Sequence, residues 1–244
     1  MNKILFPRIF LWLLLFIPLT LVGFYPTYFS QFIAGVPSIY HIHAFFMTLW
    51  IVLAVLQPYL IYKKKTKQHK FLGKLSYFIM PLVLISAWFM TRHSYFNFIN
   101  AELTKTHATK VTDELRIAAG EYMRIGVVYA SLLAIFYLLA VINRKRMVYH
   151  ATFMFAATLT LIGPTVDRII IPQFINYKIS IDVFISSFLL IDALLIALLI
   201  YQYRKGTTIK PVISALMIYV VMQTVFYIFP KMKLWYLIID PLGQ

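Results

Sequence analysis

The stretch KKKTKQHKFLGK, residues 63–74, carries six lysines and one histidine between two long stretches that have almost no charge. The flanking stretches, roughly residues 40–62 and 71–91, are each long enough to cross about 30 Å of hydrocarbon, which takes around 20 helical residues. A short basic loop between two apolar stretches is typical of a transmembrane hairpin whose turn stays on the cytoplasmic side. The pattern therefore predicts two transmembrane helices joined at this loop.

The whole chain has the composition of a membrane protein. Its 244 residues are 61% hydrophobic and only 13% charged, whereas soluble domains have about 25% charged residues, and the mean hydropathy is +0.80. Apolar runs of spanning length lie at roughly residues 4–25, 40–62, 71–91, 118–142, 149–171, 181–203 and 209–229. Because these runs lack two-residue alternation, we expect helices and not a barrel. The sequence predicts an all-α integral membrane helix bundle of about seven helices, forming a single domain over residues 1–244.

The first apolar run and the C-terminal tail both differ from an ordinary transmembrane span. Lys3 and Arg8 precede the first apolar run, as they would in a signal peptide. That run is long for a signal peptide, and no small-x-small cleavage pattern follows Gly23, so we expect a retained anchor. The tail, residues 230–244, has tryptophan and tyrosine beside lysines, which favours the membrane interface.

Basic residues predict the orientation. With the N-terminus inside, the inner side collects fourteen Lys and Arg and the outer side collects eight, as the positive-inside rule requires. The inner lysines are expected to meet anionic lipid headgroups, at about 1 kcal/mol for each residue near the surface. Since the basic residues form short clusters between apolar runs and not one soluble face, nucleic acid is not an expected partner, and no protein partner is indicated.

Familiar catalytic chemistry has no signature in this sequence. The chain contains no cysteine, which excludes disulfides, thiolate metal sites, iron–sulfur clusters and cysteine nucleophiles. It also lacks the H-E-x-x-H, G-x-S-x-G, phosphate-loop and dinucleotide motifs. No catalytic residue can be named, and whether the protein is an enzyme stays open.

Ionisable residues within the spans are the first candidates for a site, because each costs about 2.5–3.5 kcal/mol on insertion scales. Glu121 and Arg124 are three residues apart and share a helix face. Asp167 and Arg168 are adjacent, point in different directions and should reach for partners on other helices. Asp192 lies in the middle of the sixth span. Such residues either hold the bundle together or line a pocket that opens outward.

A stripe on the second span extends this predicted pocket. His43, Trp50 and Gln57 recur every seven residues, and we expect them to face the bundle interior. His41 is two residues from His43, on the other side of a helix, so the two should not chelate one metal ion. Residues 92–117 form the longest polar connection and are expected to be an outer loop that acts as a lid.

A second pair of histidines lies on the inner side. His69 opens the third span and His150 opens the fifth, and both spans run in the same direction. Two neutral imidazoles at one level are the axial ligands that a haem iron or a metal ion requires. The sequence predicts a cofactor site at His69 and His150, with b-type haem as the candidate and the metal unknown; the alternative is a basic inner rim without a ligand. Pro164 frees the carbonyl of Thr160 and predicts a kink in the fifth span.

Three stretches resemble a group of bacterial multi-pass membrane proteins to which no activity is assigned. They are HIHAFFMTLWIVLAVLQPYLI, QHKFLGKLSY and RMVYHATFMFAATLTLIGPTVDRII, within residues 40–171. The shared pattern is an H-[RK]-x-L-G motif that opens one span and a later His-x3-Met segment that ends in an Asp-Arg pair. The resemblance implies a shared fold in the bacterial inner membrane, and it singles out His41, His43, Gln57, His69, Gly73, His150, Met154, Pro164 and Arg168.

The chain is more loosely similar to cytochrome b561-like and ferric-reductase-like bundles, in which histidines on four core helices hold two haems. His69 and His150 lie on the third and fifth spans, the same pair of helices that would hold one haem in such a bundle. The fourth span has no histidine, so an outer haem would lack one ligand unless His93 or His107 folded in.

Three functions stay open from the sequence. The protein is a redox module with haem at the inner histidines and an outer site for a quinone or reducible substrate, or it is a transporter or small-molecule receptor for an anionic or protonatable solute. The third function is a structural or assembly role in which the polar residues serve packing alone.

Overall fold

The structure, a computed structural model, describes residues 8–33, 35–176, 184–228 and 232. This described part is all-helical, with six helices long and apolar enough to cross a membrane and a shorter apolar segment, Ile9–Phe24. The predicted all-α bundle of about seven helices is therefore confirmed. The predicted interfacial tail lies outside the described residues, apart from Met232. The helices are α1 (Ile9–Leu13), α2 (Phe16–Phe24), α3 (Ser38–Tyr62), α4 (Thr66–Thr106), α5 (Asp113–Ile142), α6 (Met147–Leu159), α7 (Ile162–Asn176), α8 (Phe184–Arg204) and α9 (Lys210–Ile228).

Large apolar side chains cover the outside of the bundle. Phe78 is 73% exposed and Ile142 is 75% exposed, whereas Trp50 and Phe136 in the core are fully buried. Exposed apolar side chains at this density are stable against lipid tails and not against water. The protein is a multi-pass integral membrane protein that sits in a lipid bilayer.

The basic loops lie together at one end of the bundle. Because each spanning segment reverses the chain direction, the loops at residues 63–65, 143–146 and 205–209 share one end, which we call the lysine end. The loop at residues 107–112 shares the opposite end with residues 25–33 and 35–37, and we call this end the far end. Which end faces the cytoplasm stays a prediction from the basic residues.

The prediction of an outer loop at residues 92–117 is wrong. Most of that stretch is helical, because α4 runs for 41 residues, about 60 Å, and α5 begins at Asp113. Tyr95 and Ile99 on α4 pack against Ala119 and Met123 on α5 in a hydrophobic cluster separate from the main core. The two helices thus form a packed hairpin at the far end, where the sequence predicts a lid.

Helix caps set the limits of this hairpin. His107 ends α4 in the left-handed conformation, with φ of 55°, and Thr112 caps α5 by accepting a hydrogen bond from the Leu115 N–H at 3.3 Å. Asp113 and Glu114 occupy the first turn of α5, where acidic side chains interact favourably with the positive end of the helix dipole. The true loop is therefore only residues 107–112.

The fifth span is bent, as Pro164 predicts. Helix α6 ends at Leu159 and α7 begins at Ile162, so the break surrounds Thr160, whose carbonyl a proline four residues later leaves without its helical partner. This bent segment is also the most enclosed span, with 67% of its apolar window buried against 28–39% for the other five spans. The α6–α7 segment is the central element around which the bundle packs.

Two glycines allow close helix approach to this central segment. Gly23 on α2 lies against Thr165 on α7, where an added Cβ would come within 2.6 Å of the Thr165 carbonyl oxygen. Gly163 on α7 lies against the Tyr129 ring on α5, and an added Cβ would overlap that ring. Helices α2 and α5 can contact α7 in this way only because these positions carry no side chain.

Candidate functional site

The two histidines at the lysine end lie next to each other. His69 stands in the first turn of α4 and His150 in the first turn of α6, and both side chains are half-buried. Their ring centroids are 6.4 Å apart and their planes are nearly perpendicular, at 85°. The structure therefore brings together the two histidines that the sequence proposes as cofactor ligands.

A backbone carbonyl on α5 fixes the His150 ring. Nδ1 of His150 lies 2.9 Å from the carbonyl oxygen of Ala140, which is fully buried. Because a carbonyl oxygen only accepts hydrogen bonds, Nδ1 carries the proton and donates it. Nε2 of His150 is then left with its lone pair, which is the arrangement seen in metal-binding histidines.

Gln57 on α3 holds the other histidine. Its amide nitrogen donates to Nδ1 of His69 and, at 3.3 Å, to the His69 carbonyl, while its amide oxygen accepts from the Gly73 N–H at 2.9 Å. This amide orientation is the one that satisfies both polar atoms of Gln57. In this orientation Nδ1 of His69 accepts a hydrogen bond, so the ring proton lies on Nε2.

The number of available ligands decides which cofactor these residues suit. Within the ranges that the structure covers, no group of three or more His, Asp, Glu or Cys side chains is placed to hold a metal ion. A bare zinc ion takes at least three protein ligands. A haem brings four ring nitrogens of its own and needs two axial side chains at most. His69 and His150 thus match the number of side-chain ligands that a haem iron takes.

The predicted stripe on α3 does face the bundle. His43 Nδ1 lies 3.1 Å from Ser86 Oγ on α4. Trp50 is fully buried and meets the Tyr137 ring edge-to-face at 5.8 Å. His41 turns to the other side, where its Nδ1 pairs with the Tyr28 hydroxyl at 2.9 Å.

A second polar cluster lies at the far end, around Arg168 on α7. The Arg168 guanidinium donates to the Pro164 carbonyl at 2.6 Å and covers the Phe24 ring at 4.4 Å. Asp167 beside it is 1% exposed. His43 lies within electrostatic range of Arg168, so the structure gathers these three predicted pocket residues at one place. We call His43, Asp167, Arg168 and the nearby Tyr40 the far-end cluster.

Glu121 and Arg124 do not join each other. The Glu121 side chain is exposed on α5. Arg124 stacks on two aromatic rings of α9, at 4.3 Å from Phe226 and 5.5 Å from Tyr227. Among described residues the ion pair within 4 Å is the exposed Lys105–Glu102 contact at 3.4 Å. The shared helix face of Glu121 and Arg124 therefore produces no ion pair between them.

No family model, no curated protein and no solved structure matches the chain.

Sequence reasoning missed several polar contacts between helices. Tyr40 pairs with Ser94 at 2.7 Å, and Tyr137 pairs with the buried Ser76 at 2.8 Å. Asp192, which the sequence leaves without a partner, accepts two hydrogen bonds of 3.1 Å from Gln223 on α9. Hydroxyl groups are frequent on membrane helices, so no pattern in one sequence marks which of them pair.

Two grooves also open at the far end. One has a volume of about 350 Å³ and is lined by Arg92 and His93 with apolar neighbours. The other, of about 520 Å³, is lined mainly by aromatic rings and His41. Neither groove is lined by the predicted pocket residues. His93 meets the Tyr40 ring edge-to-face at 5.7 Å, so α4 carries it to the same end as the far-end cluster.

Proposed function

We propose that the protein is a membrane redox module that holds one b-type haem between His69 and His150. The observation that carries this proposal is the 6.4 Å separation of the two rings. A metal–imidazole bond is about 2 Å long, so if His69 and His150 both turned Nε2 toward one iron, their ring centroids would lie roughly 6 Å apart. The ring spacing supports a bis-histidine site in which iron would exchange one electron.

The hydrogen bonds around the pair suit this role. The bond from His150 to Ala140 leaves Nε2 of His150 free for the iron. For His69 to hold an iron through Nε2, its proton would have to lie on Nδ1, and Gln57 would have to turn its amide oxygen toward Nδ1 and give up the bond from the Gly73 N–H. Both imidazoles are thus positioned by groups on helices other than their own.

The charges at the lysine end also favour a haem. Haem carries two propionate carboxylates, and the side chains of Lys63, Lys64, Lys65 and Lys70 are exposed around the start of α4. Opposite charges at this level stabilise a bound anionic cofactor. The same lysines would attract anionic lipid headgroups when they face the inner leaflet.

The proposed location follows from the same residues. With the lysine end in the cytoplasm, the haem lies near the cytoplasmic surface of a bacterial inner membrane, where the resemblance places related proteins. Electrons would then enter or leave from the cytoplasmic side. The shared motif around His69 and Gly73 supports this placement.

A visible spectrum tests the function directly. The protein, expressed with haem supplied and purified in detergent, should show a reduced-minus-oxidised spectrum of a six-coordinate haem. His69→Ala and His150→Ala should lose it, and His41→Ala, which lies at the far end against Tyr28, should retain it. A colourless, metal-free wild-type protein would overturn the proposal, as would alanine variants that elute normally and keep the full spectrum.

A further inference from the structure

Arg168 at the far end has more hydrogen-bond donors than the protein uses. A guanidinium has five N–H donors, and within the described ranges one of them bonds, to the Pro164 carbonyl of its own helix. The side chain is half-buried inside a spanning helix. A cation in that position needs partners, because transfer of an unpaired charge from water is expensive.

Within the described ranges, the neighbours of Arg168 cover one face of the guanidinium and leave most of its N–H donors without a hydrogen bond. The Phe24 ring covers one face at 4.4 Å, a cation–π contact. Asp167 is adjacent in sequence but forms no ion pair with Arg168 within 4 Å, since neighbouring helical residues point about 100° apart. The nearest carboxylate therefore does not occupy the remaining donors.

The other groups around Arg168 are neutral hydrogen-bonding side chains. Tyr40 and Tyr122 lie within its electrostatic range, as does His43. His43 donates its Nδ1 proton to Ser86, whose own hydroxyl proton goes to the Val83 carbonyl, so Nε2 keeps a lone pair and can only accept a hydrogen bond. Tyr122 is 61% exposed, which opens the cluster toward the surface. A guanidinium with two phenol hydroxyls in its electrostatic surroundings has donors that suit an anionic oxygen group.

We infer that Arg168, with Tyr40 nearby, binds an anionic oxygen group, either a carboxylate or a phosphate. Two parallel N–H donors of the guanidinium fork match two oxygens of such a group. The group belongs either to a small soluble anion or to the headgroup of an anionic lipid at this surface, because the recognition chemistry is the same. The site is separate from the histidine pair at the lysine end and does not depend on haem.

Binding is tested by thermal unfolding, since a ligand of the folded state raises the unfolding midpoint. Protein in phosphatidylcholine nanodiscs is titrated with inorganic phosphate against chloride at equal ionic strength. A parallel sample contains phosphatidylglycerol. A saturable rise with phosphate identifies a soluble anion, and a rise with phosphatidylglycerol alone identifies a lipid headgroup. Either result supports the site when Arg168→Gln weakens the apparent affinity at least tenfold.

Arg124→Gln is the matched control, because Arg124 is also an arginine within a span but stacks on α9. It should bind as the wild type does. Where Arg168→Gln fails to fold, Arg168→Lys keeps the charge without the fork and should bind about tenfold more weakly. The inference is overturned when neither probe stabilises the wild type, or when the variants at position 168 bind as tightly as the Arg124 control.

Discussion

At the scale of single residues, Gln57 is the side chain on which the histidine pair depends most. It contacts the ring, the carbonyl and the next helical turn of His69 at once. An amide can present either a donor or an acceptor, but turning the Gln57 oxygen toward Nδ1 would give up the bond from the Gly73 N–H. Residues behind a metal ligand typically change metal affinity by about 10- to 100-fold when they are replaced.

Replacing Gln57 should therefore change haem binding in two directions. Gln57→Leu removes the partner of Nδ1 and should lower haem retention by about 10- to 100-fold. Gln57→Glu supplies a permanent acceptor, which should retain haem and lower its reduction potential, because a carboxylate favours the oxidised iron. The haem-to-protein ratio after gel filtration and a redox titration measure these effects.

Gln31→Leu is the control for this pair of variants, since the Gln31 side chain is exposed and its amide donates to the Pro26 carbonyl at the far end. Its spectrum and potential should equal those of the wild type. Equal haem retention in Gln57→Leu and wild type would remove Gln57 from the site.

The residues of both clusters were partly predictable. The seven-residue spacing of His43, Trp50 and Gln57 was enough to predict an inward face, because lipid disfavours such side chains. The partner of Arg124 was not predictable, because two aromatic rings on α9 satisfy it instead of Glu121. A spacing of three residues shows that two side chains can meet, but packing of distant helices decides whether they do.

At the scale of elements, the bent α6–α7 segment determines how closely its neighbours pack. Its Gly163 allows the Tyr129 ring of α5 to lie directly on the helix backbone. The sequence predicted the bend because proline acts within its own helix. It did not predict the contact with Tyr129, because that depends on the position of another helix.

Filling the position of Gly163 should separate these two helices. Gly163→Ala places a methyl group where the Tyr129 ring lies, and overpacking of this kind costs about 1–3 kcal/mol. Gly73→Ala is the control, because its added Cβ would lie 3.8 Å from Gln57 in ordinary contact. Unfolding by denaturing detergent should show that Gly163→Ala is less stable than the wild type and that Gly73→Ala is not. Equal stability of both variants would mean that the Tyr129 ring moves aside freely.

Proline substitutions in the α4–α5 hairpin test whether the stretch that the sequence predicts as a loop is helical. Asn100→Pro interrupts α4 beside the buried Ile99 and should destabilise the protein by about 3 kcal/mol, because proline removes a helical hydrogen bond. Lys110→Pro lies in the connection between the helices and should leave stability unchanged. Similar unfolding midpoints for the two variants would contradict the helical hairpin.

The sequence failed here for a physical reason. Hydropathy detects lipid-facing residues, and this hairpin is polar because it extends beyond the hydrocarbon. Its buried positions include Tyr95 and Ile99, which are four residues apart. This is helical spacing, but few apolar residues in the stretch show it. Periodicity, not mean hydropathy, was the signal that could have revealed it.

At the scale of the whole molecule, the grouping of basic loops at one end is the main asymmetry. Apolar length determines the number of spans, and basic flanks determine which end stays in the cytoplasm. The number of spans and the orientation can therefore be predicted from a single sequence. Which helices are neighbours was not predictable, since every span presents similar apolar faces and only contacts such as Gly23–Thr165 distinguish them.

The orientation can be measured with little engineering, because the chain has no cysteine. Lys64→Cys introduces a thiol at the lysine end and Lys110→Cys introduces one at the far end. A membrane-impermeant maleimide should label position 110 in intact spheroplasts and position 64 only after permeabilisation. The reverse pattern would place the histidine pair on the opposite side of the membrane.

The contact between Gly23 and Thr165 also has a consequence for biosynthesis. The two residues meet face to face but are far apart in the chain. At about 5–20 residues per second, the ribosome needs roughly 7–30 s to reach Thr165 after it has made Gly23. During that interval α2 resides in the bilayer without its permanent neighbour, and its glycine face must be occupied by lipid or by the insertion machinery. The packing of α2 against α7 is thus a late event in assembly.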